Sequence, residues 1–333
     1  MFNWNKCVIF SLLILSTMIS VTSHSWLGIW MGLEVNLMMF IPLIIDNKNM
    51  FMSEAMLSYF IVQTLTSINL LFFIFFMKMN SQFMWFTSIL MNFSLLMKMG
   101  AAPFHFWFPK VMSGLSWMNC LILSTWQKIT PMIAISLCIN NSCMLISIFF
   151  SAIIGAMGGI NQTSIRSLIS FSSINHMSWM LTSIMLSMSL WTIYFIIYFI
   201  MNLLIIFMLN ANNLFYMNQL FNYKINSMIF LSFFMNLFSL GGLPPFLGFF
   251  PKWLIVLNMN IYSMNYMIFF MMMMTLITLS FYINMMMSSL IISYSQIKWV
   301  SNFYNKNFYS VIFFSMSFSF FGLILISLMK ISF

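Results

Sequence analysis

GAAPFHFWFPK at residues 100–110 and GLPPFLGFFPK at residues 242–252 agree at six of eleven positions, and each interrupts a long apolar run with glycine and proline. Proline removes a backbone donor and clashes with the preceding turn, so a spanning helix that carries it is broken or kinked there. Two such breaks of one pattern in one chain read as an internal repeat. The breaks are assigned to Gly100 and Pro103 in the first copy, and to Gly241, Gly242, Pro244 and Pro245 in the second.

Around these stretches the 333 residues are 62% hydrophobic, 19% aromatic and 5% charged. Soluble domains carry about 25% charged residues, so a water-soluble fold is excluded. A bilayer-spanning helix needs about 20 apolar residues, and unbroken runs of that length distinguish helices from the alternating segments of a β-barrel. Apolar runs bounded by polar residues predict helices over 3–22, 25–45, 55–77, 82–111, 118–138, 143–163, 167–188, 190–210, 227–259, 263–292 and 308–330. The fold class is therefore an all-α polytopic membrane protein of about eleven transmembrane helices. The fourth and ninth helices are each expected to be two half-helices with a break.

The two breaks lie five helices apart, so the second copy crosses the membrane in the opposite sense. That predicts two inverted five-helix repeats, 1–140 and 141–292, followed by one last helix over 308–330. Paired broken helices in inverted repeats mark ion or substrate sites near the midplane in many transporters. With eleven crossings, the N-terminal side receives Lys6, Lys48, Lys110, Arg166, Lys224, Lys298 and Lys306, and the opposite side Lys78 and Lys330. This bias places the N-terminus on the inner side, which is the matrix in a mitochondrion. The C-terminus then faces the intermembrane space. Methionine at 40 residues, a single arginine, and a composition favouring the residues that A/T-rich codons specify point to a mitochondrial gene and hence to the inner membrane.

The basic residues are scattered singly, which excludes nucleic acid as a partner class. Cys7, Cys120, Cys138 and Cys143 form no CxxC or Cys/His pattern and read as packing residues, so no metal site is expected. No GxGxxG or GxxxxGK(S/T) loop is present, and no cofactor is expected on this chain.

The ionisable groups inside spans carry the functional information. Glu34 and Lys128 fall at the middle of the second and fifth helices, and Lys98 and Lys252 beside the two breaks. A charge at the bilayer centre costs about 2.5–3.5 kcal/mol on insertion scales, so each needs a reason. Snorkelling accounts for Lys78 and Lys330 near span ends but not for Glu34 or Lys128. Burial penalises the charged form, and groups so tuned can exchange protons. Lys98 precedes its break and would meet a half-helix C-terminus, which suits a cation. Lys252 follows Gly248 and Pro251 and would meet an N-terminus, which does not. His105 and His176 are candidate relay groups, while His24 reads as interfacial. Asp46, Lys48 and Glu54 are expected together in one loop.

GLEVN (32–36), MKMGAAPFHFWFPK (97–110), TWQKITP (125–131), GGINQTSIR (158–166), SSINHMSWM (172–180) and SLGGLPPFLGFFPKW (239–253) together resemble the antiporter-like membrane subunits of respiratory complex I, NADH:ubiquinone oxidoreductase. The resemblance covers residues 25–260. It implies a proton-translocating subunit of the membrane arm that carries no redox cofactor itself, the complex using NADH, FMN, iron–sulfur clusters and ubiquinone elsewhere. It implies chains 4L and 4 as neighbours, accessory subunits, and phospholipid including cardiolipin as partners. Glu34, Lys98, Lys128 and Lys252 match the family's proton-translocating glutamate and lysines, the same four that burial singles out. Lys110 departs from a position that is usually acidic, and Ser58 and Ser167 from positions that often carry lysine. A stand-alone cation/proton antiporter and a purely structural subunit are the alternative readings.

Overall fold

A computed structural model describes residues 4–45, 50–79, 84–222 and 227–295 of the chain. The expected helix 308–330, the loop residues Asp46 and Lys48, and the cations Lys224, Lys298, Lys306 and Lys330 lie outside the described residues. The described residues are helical apart from connections and one isolated bridge, Ser164 to Tyr216. The chain divides into two units, Met1–Ser151 and Ala152–Phe333.

The first unit holds α1 (Trp4–Thr22), α2 (Trp26–Ile44), α3 (Met50–Met79), α4 (Met84–Met99), α5 (Trp107–Gly114), α6 (Trp117–Ser124) and α7 (Trp126–Ser136). Helix α8 (Asn141–Gly159) begins in it and runs into the second. α1 and α2 pack closely, with small residues at the contact: Ser16 and Ser20 are buried against Gly32. Small residues allow such approach in an apolar medium where hydrophobicity does not drive helices together. α3 packs on α2, α4 and α5, and α7 on α1, α2 and α4, so the interior of this unit is built around α7 and the first break.

The second unit contains α9 (Ile165–Leu186), α10 (Met188–Asn212), α11 (Met217–Asn222), α12 (Ser227–Gly241), α13 (Phe249–Ile261) and α14 (Asn265–Ser295). Its centre is α9, with 18 of 22 residues buried although the helix is rich in serine. The hydroxyls of Ser167, Ser170, Ser172, Ser173, Ser178, Thr182 and Ser183 each donate to the carbonyl three residues earlier. A polar helix satisfied in this way can occupy the interior without water. Ser187 caps α10 through its hydroxyl, which accepts from the Leu190 amide, and Asn213 ends that helix in the left-handed conformation.

Among the described residues, five helices are long and apolar enough to cross a membrane: Trp26–Ile44, Met50–Met79, Asn141–Gly159, Met188–Asn212 and Asn265–Ser289, with shorter apolar helices Lys6–Thr22 and Leu231–Gly241. The chain is thus a helical, multi-pass membrane protein. Two local expectations are corrected. The third helix starts at Met50, so Glu54 lies exposed on a helix rather than in a loop. The expected single helix 118–138 is α6 and α7, interrupted at Thr125. The short helix α11 follows the end of α10, where Gln219 Oε1 accepts from the amides of Phe215 and Tyr216.

Candidate functional site: two glycine-closed breaks with buried lysines

Both expected breaks form, and they form alike. At the end of α4 the amides of Gly100 and Ala101 donate to the carbonyls of Met97 and Leu96, and at the end of α12 those of Gly242 and Leu243 donate to Ser239 and Phe238. In each the glycine has positive φ, +70° at Gly100 and +85° at Gly242. This is a glycine C-cap that satisfies the last carbonyls of a half-helix inside the membrane. Irregular turns over 101–106 and 243–248 then lead into α5 and α13, and the Ala102–Pro103 bond is cis.

Lys98, on the last turn of α4, is 6% exposed. Gln63 of α3 donates from Nε2 to the Lys98 carbonyl at 3.0 Å, and the Trp107 indole donates to the Met97 carbonyl at 3.1 Å, so both sides of the break are tied. Glu34 lies mid-way along α2, close enough for its charge to act on Lys98. The carboxylate is only half-buried within this chain, which corrects the expectation of full burial; the turn of α2 places Glu34 toward the edge of the unit while Asn36 faces inward.

Lys128 stands in the first turn of α7, 2% exposed, with its Nζ 5.1 Å from the centre of the Phe108 ring. An ammonium over an aromatic face is held by the ring quadrupole, more strongly where water is excluded. Lys98 and Lys128 line one cavity, large enough for a water molecule, together with Asn36, Tyr59, Gln63 and Gln127. The structure therefore places Lys98 and Lys128 on one shared cavity, whose lining does not include Glu34.

In the second unit Lys252, 4% exposed, sits in the first turn of α13. The expectation that it meets an unfavourable half-helix N-terminus is overturned. Its side chain reaches back across the break, and Nζ donates to the carbonyl of Gly241, the last residue of α12, at 2.7 Å. A C-terminal carbonyl is the favourable helix end for a cation. His176 of α9 shares a 2.8 Å hydrogen bond between Nδ1 and the Tyr194 hydroxyl, with the Tyr198 ring 5.0 Å from its own. A second, smaller cavity is lined by His176, Tyr198, Met201, Ser239, Gly248 and Pro251, the residue before Lys252, which does not itself line it.

His105 lies inside the first break, its ring 4.2 Å from that of Phe106 and its Nδ1 3.3 Å from the Pro103 carbonyl, and it does not line the cavity of Lys98 and Lys128. The amides Asn36, Gln63 and Gln127 and the phenols Tyr59 and Tyr194 were not singled out from sequence. Their signal was a polar side chain in the middle of an apolar span, the same cost argument that picks out the charges but with a smaller penalty.

The family model for NADH:quinone oxidoreductase/Mrp antiporter transmembrane proteins matches residues 23–278. NADH-ubiquinone oxidoreductase chain 2 of Anopheles gambiae is 46% identical over 328 residues, 96% of each chain. Among solved structures, a chain of respiratory complex I from Thermus thermophilus with bound aureothin has the same fold at a TM-score of 0.82 and 17% identity, covering 97% of this chain and 78% of that one. A chain of the Mrp complex from Dietzia gives 0.74 at 16% identity, covering 89% and 61%. With both breaks and their lysines in place, and similarity running almost end to end, the chain belongs to the NADH:quinone oxidoreductase/Mrp antiporter transmembrane family and, within it, to the NADH-ubiquinone oxidoreductase chain 2 proteins.

Proposed function

We propose that the chain works as a core membrane-arm subunit of proton-pumping NADH:ubiquinone oxidoreductase, translocating protons through Glu34, Lys98, Lys128 and Lys252. Quinone reduction in other subunits changes the charge at Glu34 and Lys98, then at Lys128, then at Lys252. The observation that carries this reading is the placement of Lys98 and Lys128 on one polar cavity inside the first unit, with Glu34 acting on Lys98 by charge. Unit charges about 8–16 Å apart in an effective dielectric of about 20 interact by about 1–2 kcal/mol. Moving one charge against 100 mV costs about 2.3 kcal/mol, the same order as that coupling.

The NADH, FMN, iron–sulfur and quinone chemistry belongs to other subunits on this reading, and the chain supplies only proton sites. The two glycine-closed breaks are corresponding elements of two five-helix halves, 1–140 and 141–292. The chain is a mitochondrial inner-membrane protein with its N-terminus in the matrix, assembled with chains 4L and 4, accessory subunits and phospholipid including cardiolipin. A stand-alone antiporter is the less favoured reading, since the end-to-end similarity is to oxidoreductase chain 2. The test is Lys128→Met in the intact complex in sealed vesicles: assembly is expected to persist while NADH-driven proton uptake falls by at least about tenfold, a loss of about 1.4 kcal/mol in the rate-limiting barrier. Unchanged proton yield in an assembled complex would refute it.

A further inference from the structure

Gln127 precedes Lys128 on α7 and donates from Nε2 to Oδ1 of Asn36 on α2 at 3.1 Å. The pair spans two helices at the wall of the cavity that Lys98 and Lys128 share. Each amide retains hydrogen-bonding capacity after this bond: Gln127 keeps its Oε1 acceptor and a second N–H, and Asn36 keeps two N–H donors. Pro131 adds to this, because it has no N–H to give to the carbonyl four residues earlier, which is that of Gln127. Two amides with spare donors and an acceptor thus line the same water-sized space as Lys98 on the last turn of α4 and Lys128 on the first turn of α7.

From this geometry we propose that the Asn36–Gln127 pair is a positioning element that orients a water between Lys98 and Lys128, so that a proton passes from one lysine to the other. The amides carry no proton themselves. Water accepts a proton from the ammonium of one lysine and releases one to the amine of the other, so one proton moves and the water is restored. Without oriented partners a water in such a space spends time in arrangements that do not connect both nitrogens, and transfer slows although both lysines remain. The inference rests on the reading of Lys98 and Lys128 as proton sites, and Gln127 and Asn36 act through them.

The test uses the whole complex in sealed vesicles, with Gln127→Leu, Lys128→Met and the exchange variant Asn36→Gln/Gln127→Asn measured side by side. Gln127→Leu is expected to assemble, to lower NADH-driven proton uptake about tenfold, and to enlarge the solvent deuterium isotope effect on uptake, which a purely structural tie would leave alone. The exchange variant, which keeps two amides and the total reach, is expected to restore both. Wild-type uptake and isotope effect in assembled Gln127→Leu, with Lys128→Met inactive, would overturn the inference and leave the proton-site reading intact. A silent Lys128→Met would remove both. If Gln127→Leu does not assemble, Asn36→Ser carries the same test: reduced uptake with an enlarged isotope effect supports the inference, and wild-type behaviour overturns it.

Discussion

The ammonium of Lys252 is bonded to the carbonyl of Gly241 at 2.7 Å, so the first turn of α13 is tied to the last turn of α12 across the break between them. The tie depends on Gly242. A Cβ at Gly242 would stand 2.7 Å from Lys252 Nζ, and the residue's φ of +85° is one that a side chain disfavours. The lysine is thereby held against a half-helix end by a residue whose only contribution is the lack of a side chain.

Gly242→Ala is expected to do two things. The left-handed backbone costs about 1–2 kcal/mol for a residue with a Cβ. The new methyl also displaces the flexible end of Lys252 from its carbonyl. Thermal inactivation of the isolated complex should move to lower temperature, and NADH-driven proton uptake should fall further than the loss of assembled complex explains. Gly248→Ala is not a usable control, because its Cβ would run into the Ser239 carbonyl. Lys252→Met serves instead: it removes the ammonium and its bond to the Gly241 carbonyl without the backbone strain, so uptake should fall while thermal inactivation shifts less than in Gly242→Ala. Equal uptake per assembled complex in wild type and Gly242→Ala would show that the tie has no part in function.

Gln63→Leu tests the other break. The side chain of Gln63 donates to the carbonyl of Lys98, and α4 ends one residue later inside the unit. Leaving a buried acceptor without its partner costs about 1–3 kcal/mol. The stability of the assembled membrane arm in mild denaturant should fall by that order, and Gln63→Glu should not restore it, because a carboxylate cannot donate to a carbonyl. A Gln63→Leu complex as stable as the wild type would mean that another group satisfies the Lys98 carbonyl.

Glu34→Gln removes the charge that acts on Lys98 while keeping a side chain of the same size. Since Glu34 is half-buried within this chain, the substitution should leave assembly intact. Proton uptake per NADH is expected to fall several-fold, as the loss of about 1 kcal/mol of coupling between the two sites implies. Uptake at the wild-type level would separate Glu34 from the Lys98 site.

Much of this was legible in the sequence because the membrane makes charge expensive and proline conspicuous. The breaks near Gly100 and Gly242 followed from Gly and Pro inside apolar runs, and Lys98, Lys128 and Lys252 from the cost of burying a cation. What escaped was tertiary. The direction of the Lys252 side chain was misjudged because helix position alone says which end is near, not which end a four-carbon stem can reach. The interruption at Thr125 was missed because no glycine or proline marks it; Pro131 lies inside α7 and acts on the carbonyl of Gln127, four residues earlier. The half-burial of Glu34 depends on which face of α2 the rest of the unit covers, and neighbours in lipid are chosen by small residues that hydropathy does not rank. The serine-rich α9 sits at the centre of its unit because its hydroxyls bond to its own backbone, a fact about pairing rather than composition.

Tyr194→Phe isolates the partner of His176. The hydroxyl of Tyr194 meets Nδ1 of His176 at 2.8 Å, and which of the two donates fixes the tautomer of the ring. Removing the hydroxyl leaves the aromatic packing with Tyr198 in place, so the fold should lose only about 0.5–1.5 kcal/mol, the net worth of one hydrogen bond. The imidazole, though, loses the group that sets which nitrogen carries the proton beside the cavity that His176 lines with Gly248 and Pro251. If His176 relays protons toward Lys252, proton uptake in Tyr194→Phe should fall several-fold while His176→Gln falls at least as far, and the double variant should be no worse than His176→Gln alone, because both changes act on one step. Additive losses in the double variant would mean that Tyr194 and His176 serve separate steps. Wild-type uptake in both single variants would remove His176 from the path and leave the Tyr194 bond as packing.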